Sequence, residues 1–273
     1  MVFVVNPILP ADLTDALAVT PLGAFGDIRY VPDVESTNDL ALALAANGAA
    51  EGTSVLADMQ RAGRGRRGRT WFSPPGAGLY LSVITRPGEG SSLSLITLAA
   101  GVAAAHAIAT TTRLPIELKW PNDLVIGRPW RKLGGILCES AGAGSRVDAV
   151  VIGIGVNLGH LAYPPDVADR ATSIEAELGR PVSRGVIAVA VLAALREAVG
   201  HLRAGDRAWI TAAWRGFGRA GLDGAPVHWQ EGGVLQRGLA RDLDVDGALL
   251  VERQGRVDRL VAGEVLWDRL SRE

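Results

Sequence analysis

The stretch Gln60–Trp71, QRAGRGRRGRTW, constrains this chain more than any other. It puts five arginines and three glycines into the nine residues from Arg61 to Arg69. The like charges repel and the glycines carry maximal chain entropy, so such a loop is costly to order without an anion. Guanidinium forks match phosphate oxygens in pairs, and glycine lets backbone N–H groups come close to a ligand. The stretch reads as a phosphate-binding loop, mobile when empty and ordered by substrate.

Within it, GRGRRG has the form GxGxxG, the dinucleotide fingerprint. That fingerprint must open a helix whose N-terminus holds the pyrophosphate, whereas RTWFSPPGAG follows here, with two prolines and no helical period. Gly153-Ile154-Gly155 lacks a third glycine at the right place. The sequence also has no GxxxxGK[ST] loop, no His/Cys/Asp cluster at metal-ligand spacing and no GxSxG elbow.

The arginine cluster is local, because the formal net charge of the whole chain is −1. A general nucleic-acid binder would carry a basic excess, and the lone Trp71-Phe72 pair beside the loop is not a set of spaced aromatics for base stacking. A single cysteine, Cys138, excludes an intrachain disulfide and fits a reducing, cytoplasmic setting. The start, MVFVVNPILP, has no basic n-region, and the run Leu93–Thr112 is too polar and Ala-rich for a membrane span. Of 28 basic residues only Lys119 and Lys132 are lysines. A compact ammonium does a different job from a planar guanidinium, so both are candidates for chemistry.

Ser36 to Asn47 has helical apolar spacing, with Ser36 three residues before Asp39 in a variant capping box. Thr53–Asp58 and Leu79–Thr85 read as strands flanking the Arg/Gly loop, and Leu95–Thr111 as a long helix. Short strands follow at Ile116–Lys119, Leu124–Ile126, Leu133–Glu139 and Ala149–Val156, then helices at Ser173–Leu178 and Arg184–Leu202. After Trp214, short alternating runs separated by turn residues predict a small all-β module. The expected organisation is a catalytic domain over residues 1–218 and a small β-barrel over 219–273.

Five segments occur together and in order: ESTN at 35–38, the loop at 60–71, KWPNDL at 119–124, KLGGIL at 132–137 and GIGVN at 153–157. In this combination the chain resembles the biotin-protein ligases, across roughly residues 35–160. Lipoate-type ligases, with a related fold, lack the GRGRRGR loop. The resemblance implies an α+β fold, with a mixed, largely antiparallel sheet, helices covering one face as in class II synthetases, and a small C-terminal β-barrel. It implies ATP and Mg²⁺, biotin as substrate, and transfer to one lysine of a biotin carboxyl carrier domain of acyl-CoA carboxylases. Regulatory members begin with a DNA-binding winged helix, and ESTN already starts at Glu35, so neither DNA nor a membrane is an expected partner.

The same resemblance implies roles. Biotin should meet Ser36, Thr37, Asn38, Gln60, Arg64, Gly65, Arg66 and Lys132, because hydroxyl and amide groups fit the ureido ring. The nucleotide should meet Arg66, Arg69, Trp71, Lys119, Asn122 and Asn157, with Asn157 reading the adenine edge and Trp71 acting as a lid residue. Lys132, Arg64 and Arg66 should stabilise the reacting anions, and Asp123 should orient or relieve the acceptor amine. No protein-held metal site is expected.

Overall fold

Alternation along β7 (Ala149–Asn157) defines the two faces of the main sheet. Val150, Ile152, Ile154 and Val156 join the large hydrophobic core, while Ala149 and Val151 join a second, smaller cluster on the opposite face. Strand residues point alternately up and down, so Gly153 and Gly155 continue that opposite face with no side chain at all. The computed structural model describes residues 8–86, 92–142, 148–261 and 263–267. The first seven residues, part of the stretch read for targeting features, lie outside the described residues, as does Ala262 in the last expected strand run.

The main sheet is completed by β1 (Ile28–Val34), β2 (Ser54–Gln60), β3 (Gly78–Thr85), β4 (Glu117–Lys119), β5 (Asp123–Ile126) and β6 (Arg131–Ala141), in the order β1-β2-β3-β7-β6-β5-β4. Every neighbouring pair is antiparallel except β1 with β2, which is parallel. This is the mixed, largely antiparallel sheet expected. No strand was expected at β1, whose run contains Pro32. An edge strand tolerates proline, and β1 is an edge.

Two 20-residue helices, α3 (Leu93–Thr112) and α5 (Arg184–Arg203), cover the large-core face together with α1 (Ala11–Val19) and α6 (Arg207–Gly218). Serine hydroxyls cap the long pair, Ser92 accepting from Leu95 N at 3.1 Å and Ser183 from Val186 N at 3.2 Å. Both are long and apolar enough to cross a membrane, yet most of each lies inside this core. Full burial of each Leu or Ile there contributes about 1.5–3 kcal/mol. One helix departs from the expected one-sided cover: α2 (Thr37–Ala46) lies on the opposite face. Val31, Val34, Val55, Ala57, Ile84 and Val151 are apolar there and need cover, which Leu40, Ala41 and Ala45 supply.

A short helix, α4 (Ile174–Leu178), precedes α5. After α6 come β8 (Ala225–Glu231), β9 (Val234–Leu243), β10 (Leu249–Arg253), β11 (Arg256–Leu260) and β12 (Val265–Trp267). They form the small all-β module expected, an antiparallel five-stranded sheet in the order β11-β10-β9-β8-β12. Contacts that fix it to the main body include Trp120 Nε1 donating to Gly247 O at 3.0 Å and Arg215 Nη2 donating to Leu243 O at 2.5 Å.

Candidate active site

The face of the sheet that α2 leaves open is paved with glycine. Gly135 on β6 pairs with Gly155 on β7, and Ser82 on β3 pairs with Gly153. A Cβ at Gly155 would lie 2.7 Å from the Trp71 indole, and one at Gly153 would lie 2.3 Å from Asn38 Oδ1. GIGVN is therefore strand sequence in which every second residue vacates space for a side chain above it. Gly153→Ala is expected to cost about 1–3 kcal/mol through overpacking, visible as a lowered thermal midpoint. An unchanged midpoint would show that Asn38 is free to move.

A β-bulge puts Lys132 on the same face. Leu124 pairs with Gly134 but Val125 pairs with Lys132, so Leu133 is the extra residue and turns into the core with no exposure. The bulge reverses the alternation of β6 and brings Lys132 beside Asp123, Nζ to Oδ1 at 2.6 Å. Lys119, the register partner of Asp123 on β4, sits beyond it, with Nζ 5.3 Å from the ring centroid of Trp267. Burial holds the Lys119 ammonium below the usual lysine range, with Asp123 opposing the shift.

The Arg/Gly loop closes this floor on one side. It is a tight hairpin, with Gly65 N bonded to Arg69 O at 2.7 Å and Trp71 N to Gly63 O at 2.8 Å, and with Arg67 in the left-handed region at φ 59°. Its mutual repulsion is relieved by carboxylates rather than left for an anion alone. Arg61 pairs with Asp33 and Glu35, Arg64 with Asp39 and Glu139, and Arg67 and Arg69 with Glu264 beside β12. Arg64 forms two 2.6 Å bonds to Asp39, whose hydrogen bonding, with the charge of Glu139, raises its pKa. Among the described residues Arg66 alone of the five has no carboxylate at ion-pair distance. Its Nη1 reaches Asn122 Oδ1 at 3.4 Å, and burial followed by the charge of Arg67 lowers its pKa.

The ESTN segment forms the far wall. Ser36 stands at the N-cap of α2 as expected, but its hydroxyl makes no cap bond and Asp39 turns to Arg64, so the capping box is not formed. Gln60 Oε1 accepts from Thr37 N at 2.9 Å and from Thr37 Oγ1 at 3.0 Å, and Gln60 Nε2 donates to Ser73 at 2.9 Å. Asn38 accepts from Ser82 at 2.6 Å and donates to Glu139 at 2.6 Å. Asn122 Nδ2 donates to Ile136 O at 2.8 Å, tying the KWPNDL turn to β6.

All fourteen expected site residues line one cleft of about 910 Å³: Ser36, Thr37, Asn38, Gln60, Arg64, Gly65, Arg66, Arg69, Trp71, Lys119, Asn122, Asp123, Lys132 and Asn157. That volume lies at the large end of small-molecule sites, about 300–1,000 Å³. Trp71 packs on Gly155 with the Lys132 ammonium 5.5 Å from its ring centroid, so it is a wall of the cleft. The sequence reading did not single out several contributors, among them Glu139, Ser82, Trp130 and Glu264. Glu139 was legible in principle, two residues past Leu137 on the cleft-facing period of β6. Ser82, Trp130 and Glu264 had no local signal. Desolvation pushes the thiol of the half-buried Cys138 up to about 12, in keeping with an inert cysteine.

Residues 30–157 match the model of the biotin/lipoate A/B protein ligase family. The bifunctional ligase/repressor BirA of Salmonella typhimurium is 31% identical over 94% of this chain and 79% of its own length. The biotin–[acetyl-CoA-carboxylase] ligase of Paracoccus denitrificans is 32% identical over 85% of this chain and 97% of its own. The chain belongs to the biotin-protein ligase family. The fold agrees: a biotin protein ligase of Aquifex aeolicus, solved in complex with biotin and ATP, superposes with a TM-score of 0.77 at 26% identity, covering 89% of this chain and 99% of that one. A Leishmania major ligase solved with biotinyl-5-AMP superposes with a TM-score of 0.61 at 27% identity, covering 87% and 99%.

Proposed function

We propose that this cleft is where the protein, an ATP-dependent biotin-protein ligase, joins biotin to AMP, and that the acceptor is one lysine of a biotin carboxyl carrier domain of acyl-CoA carboxylases. The observation that carries the reading is that the Lys132–Asp123 pair shares a glycine-floored cleft with Arg66, among the described residues the one loop cation without a carboxylate at ion-pair distance. In the first step a biotin carboxylate oxygen attacks the α-phosphate, the phosphorus–oxygen bond to pyrophosphate breaks, and a mixed anhydride forms. Two anions must meet, so Lys132 is the bridging cation, held in place by Asp123, and Arg66 neutralises phosphate charge. In the second step the acceptor amine attacks the acyl carbon and AMP leaves, with Asp123 placed to orient that amine or take its proton.

Ser36, Thr37, Asn38, Gln60, Arg64 and Gly65 form the biotin end in this reading. Thr37, Asn38, Gln60 and Arg64 are already cross-bonded, so they present a rigid wall rather than free side chains. Arg69, Trp71, Lys119, Asn122 and Asn157 form the nucleotide end, where Arg69 would exchange Glu264 for phosphate. Among the described residues no group of three or more His, Cys, Asp or Glu could hold an ion. Mg²⁺ fits as cargo of ATP, bound by the phosphates. Residues 1–218 and 219–273 are proposed as the catalytic domain and the small C-terminal domain, and the cytoplasm as the setting. Incubation with biotin, MgATP and a carrier domain tests the reading by intact mass. One biotinyl group on one lysine is expected, and an unmodified carrier with the biotinyl group found only on bystander proteins would refute the acceptor.

A further inference from the structure

A continuous run of polar side chains lies at the end of the cleft assigned to biotin: Glu139, Asn38, Ser82, Thr37 and Gln60. Asn38 Nδ2 donates to Glu139 Oε2 at 2.6 Å and to Leu137 O at 3.3 Å, and Asn38 Oδ1 accepts from Ser82 at 2.6 Å. Thr37 Oγ1 lies 2.7 Å from Ser82 Oγ and 3.0 Å from Gln60 Oε1. Both ends of the run only accept hydrogens. Glu139 presents a carboxylate that is also held by Arg64 Nη2 at 3.1 Å, and Gln60 has its Oε1 turned to Thr37 N and its Nε2 to Ser73. Asn38 rests on Gly153, where even a Cβ would come within 2.3 Å of Oδ1, so the amide has no room to draw back.

Ser82 and Thr37 each carry a single hydroxyl hydrogen. Glu139 takes the Asn38 N–H, which leaves Asn38 Oδ1 facing Ser82 and claims the Ser82 hydrogen. Thr37 then has one hydrogen for its contacts with Ser82 and Gln60 and none for the cleft, which it also lines. Turned toward a ligand acceptor, that hydrogen would leave the Thr37 and Ser82 oxygens 2.7 Å apart with nothing between them, and both residues are buried. We infer that Glu139 is a positioning residue that sets specificity for biotin: through Asn38 and Ser82 it commits the Thr37 hydrogen to the wall, so that Thr37 meets the ligand only as an acceptor and selects a ring N–H at that point. A glutamine in its place removes the commitment. Arg64 claims the new amide oxygen, and the new N–H group faces Asn38. The Asn38 amide then turns over, giving up the longer contact to Leu137 O, and Ser82 is free to donate to Thr37. The Thr37 hydrogen is released to meet either kind of ligand atom.

The inference rests on the ligase reading for the identity of the ligand. Its test is equilibrium binding to the full chain, by calorimetry, of biotin and of the two cyclic carbamates in which one or the other ureido N–H is replaced by a ring oxygen. The unchanged protein should bind biotin at least about tenfold tighter than the poorer carbamate, the one that places its oxygen opposite Thr37, since two acceptors then face each other in a buried place. In Glu139→Gln the preference for biotin over that same carbamate should fall below about threefold, because Thr37 regains a hydrogen to offer. Ser82→Ala frees the Thr37 hydrogen from the nearer side, should relax the preference in the same way, and serves if the glutamine variant does not fold. In biotin-dependent ATP–pyrophosphate exchange, KM for ATP should change less than about threefold in either variant, because the nucleotide end is distant from the run. Damage to the wall in general would weaken all three ligands together and leave the preference as it was. That result would overturn the inference, as would equal binding of biotin and both carbamates by the unchanged protein. Failure of the unchanged protein to bind biotin would defeat the ligase reading, and the inference with it.

Discussion

Lys132→Ala is expected to lower biotin-dependent ATP–pyrophosphate exchange by at least about 10²–10³, the range for removal of one group aimed at developing charge. The effect should appear in kcat more than in KM for either substrate, because the ammonium is most useful where carboxylate and α-phosphate are closest. Its geometry supports that assignment: Nζ lies 2.6 Å from Asp123 and 5.5 Å from the Trp71 ring, inside the cleft and at a bulge that turns it there. Lys132→Arg should be a poor substitute, since a planar fork cannot occupy the same point between two anions. Exchange that survives in the alanine variant at near the original rate would remove Lys132 from the chemistry.

Arg66→Ala carries the second large effect, and it separates activity from stability. Arg66 is half-buried with no carboxylate at ion-pair distance among the described residues, and burial lowers its pKa. A charge in that condition works against folding; Asp123 and Glu264 offset part of the cost, and an arriving anion would offset more. Removal should therefore lower exchange by about 10²–10³ while the thermal midpoint stays or rises, the pattern of a site strained for function. Arg64→Ala should behave in the opposite way. It leaves Asp39 and Glu139 without their shared cation, so the midpoint falls, and the rate follows through the disturbed α2 wall. Equal loss of stability in both variants would contradict this division.

The contrast between the two arginines shows what was legible in the sequence. Loop composition and the order of the motifs were enough to bring fourteen residues to one cleft. They could not say which arginine is committed, because the partners are distant in the chain: Glu139 is 75 residues from Arg64, and Glu264 is 195 from Arg69. Asn157 shows a related limit, since a strand-end amide beside a cleft looks the same in sequence whether or not its hydrogens also go to Thr172 O. Fold class was readable from alternation in β2, β3, β6 and β7. No strand was expected at β1, whose run contains Pro32, and α2 was found in sequence without any sign of which sheet face it covers. Only the pairing of apolar β-residues with Leu40, Ala41 and Ala45 decides that.

Glu264 also ties the C-terminal sheet to the central chemistry. It is the partner of both Arg67 and Arg69, so any movement of the loop would have to break these pairs or carry Glu264 with it.

The central claim is that this cleft forms an acyl-adenylate from biotin. ATP–pyrophosphate exchange by the full chain, with biotin, with lipoate and with no acid, tests it most directly. The account predicts exchange with biotin alone, lost in Lys132→Ala. Exchange that requires lipoate, or equal exchange in the absence of any acid, would contradict it.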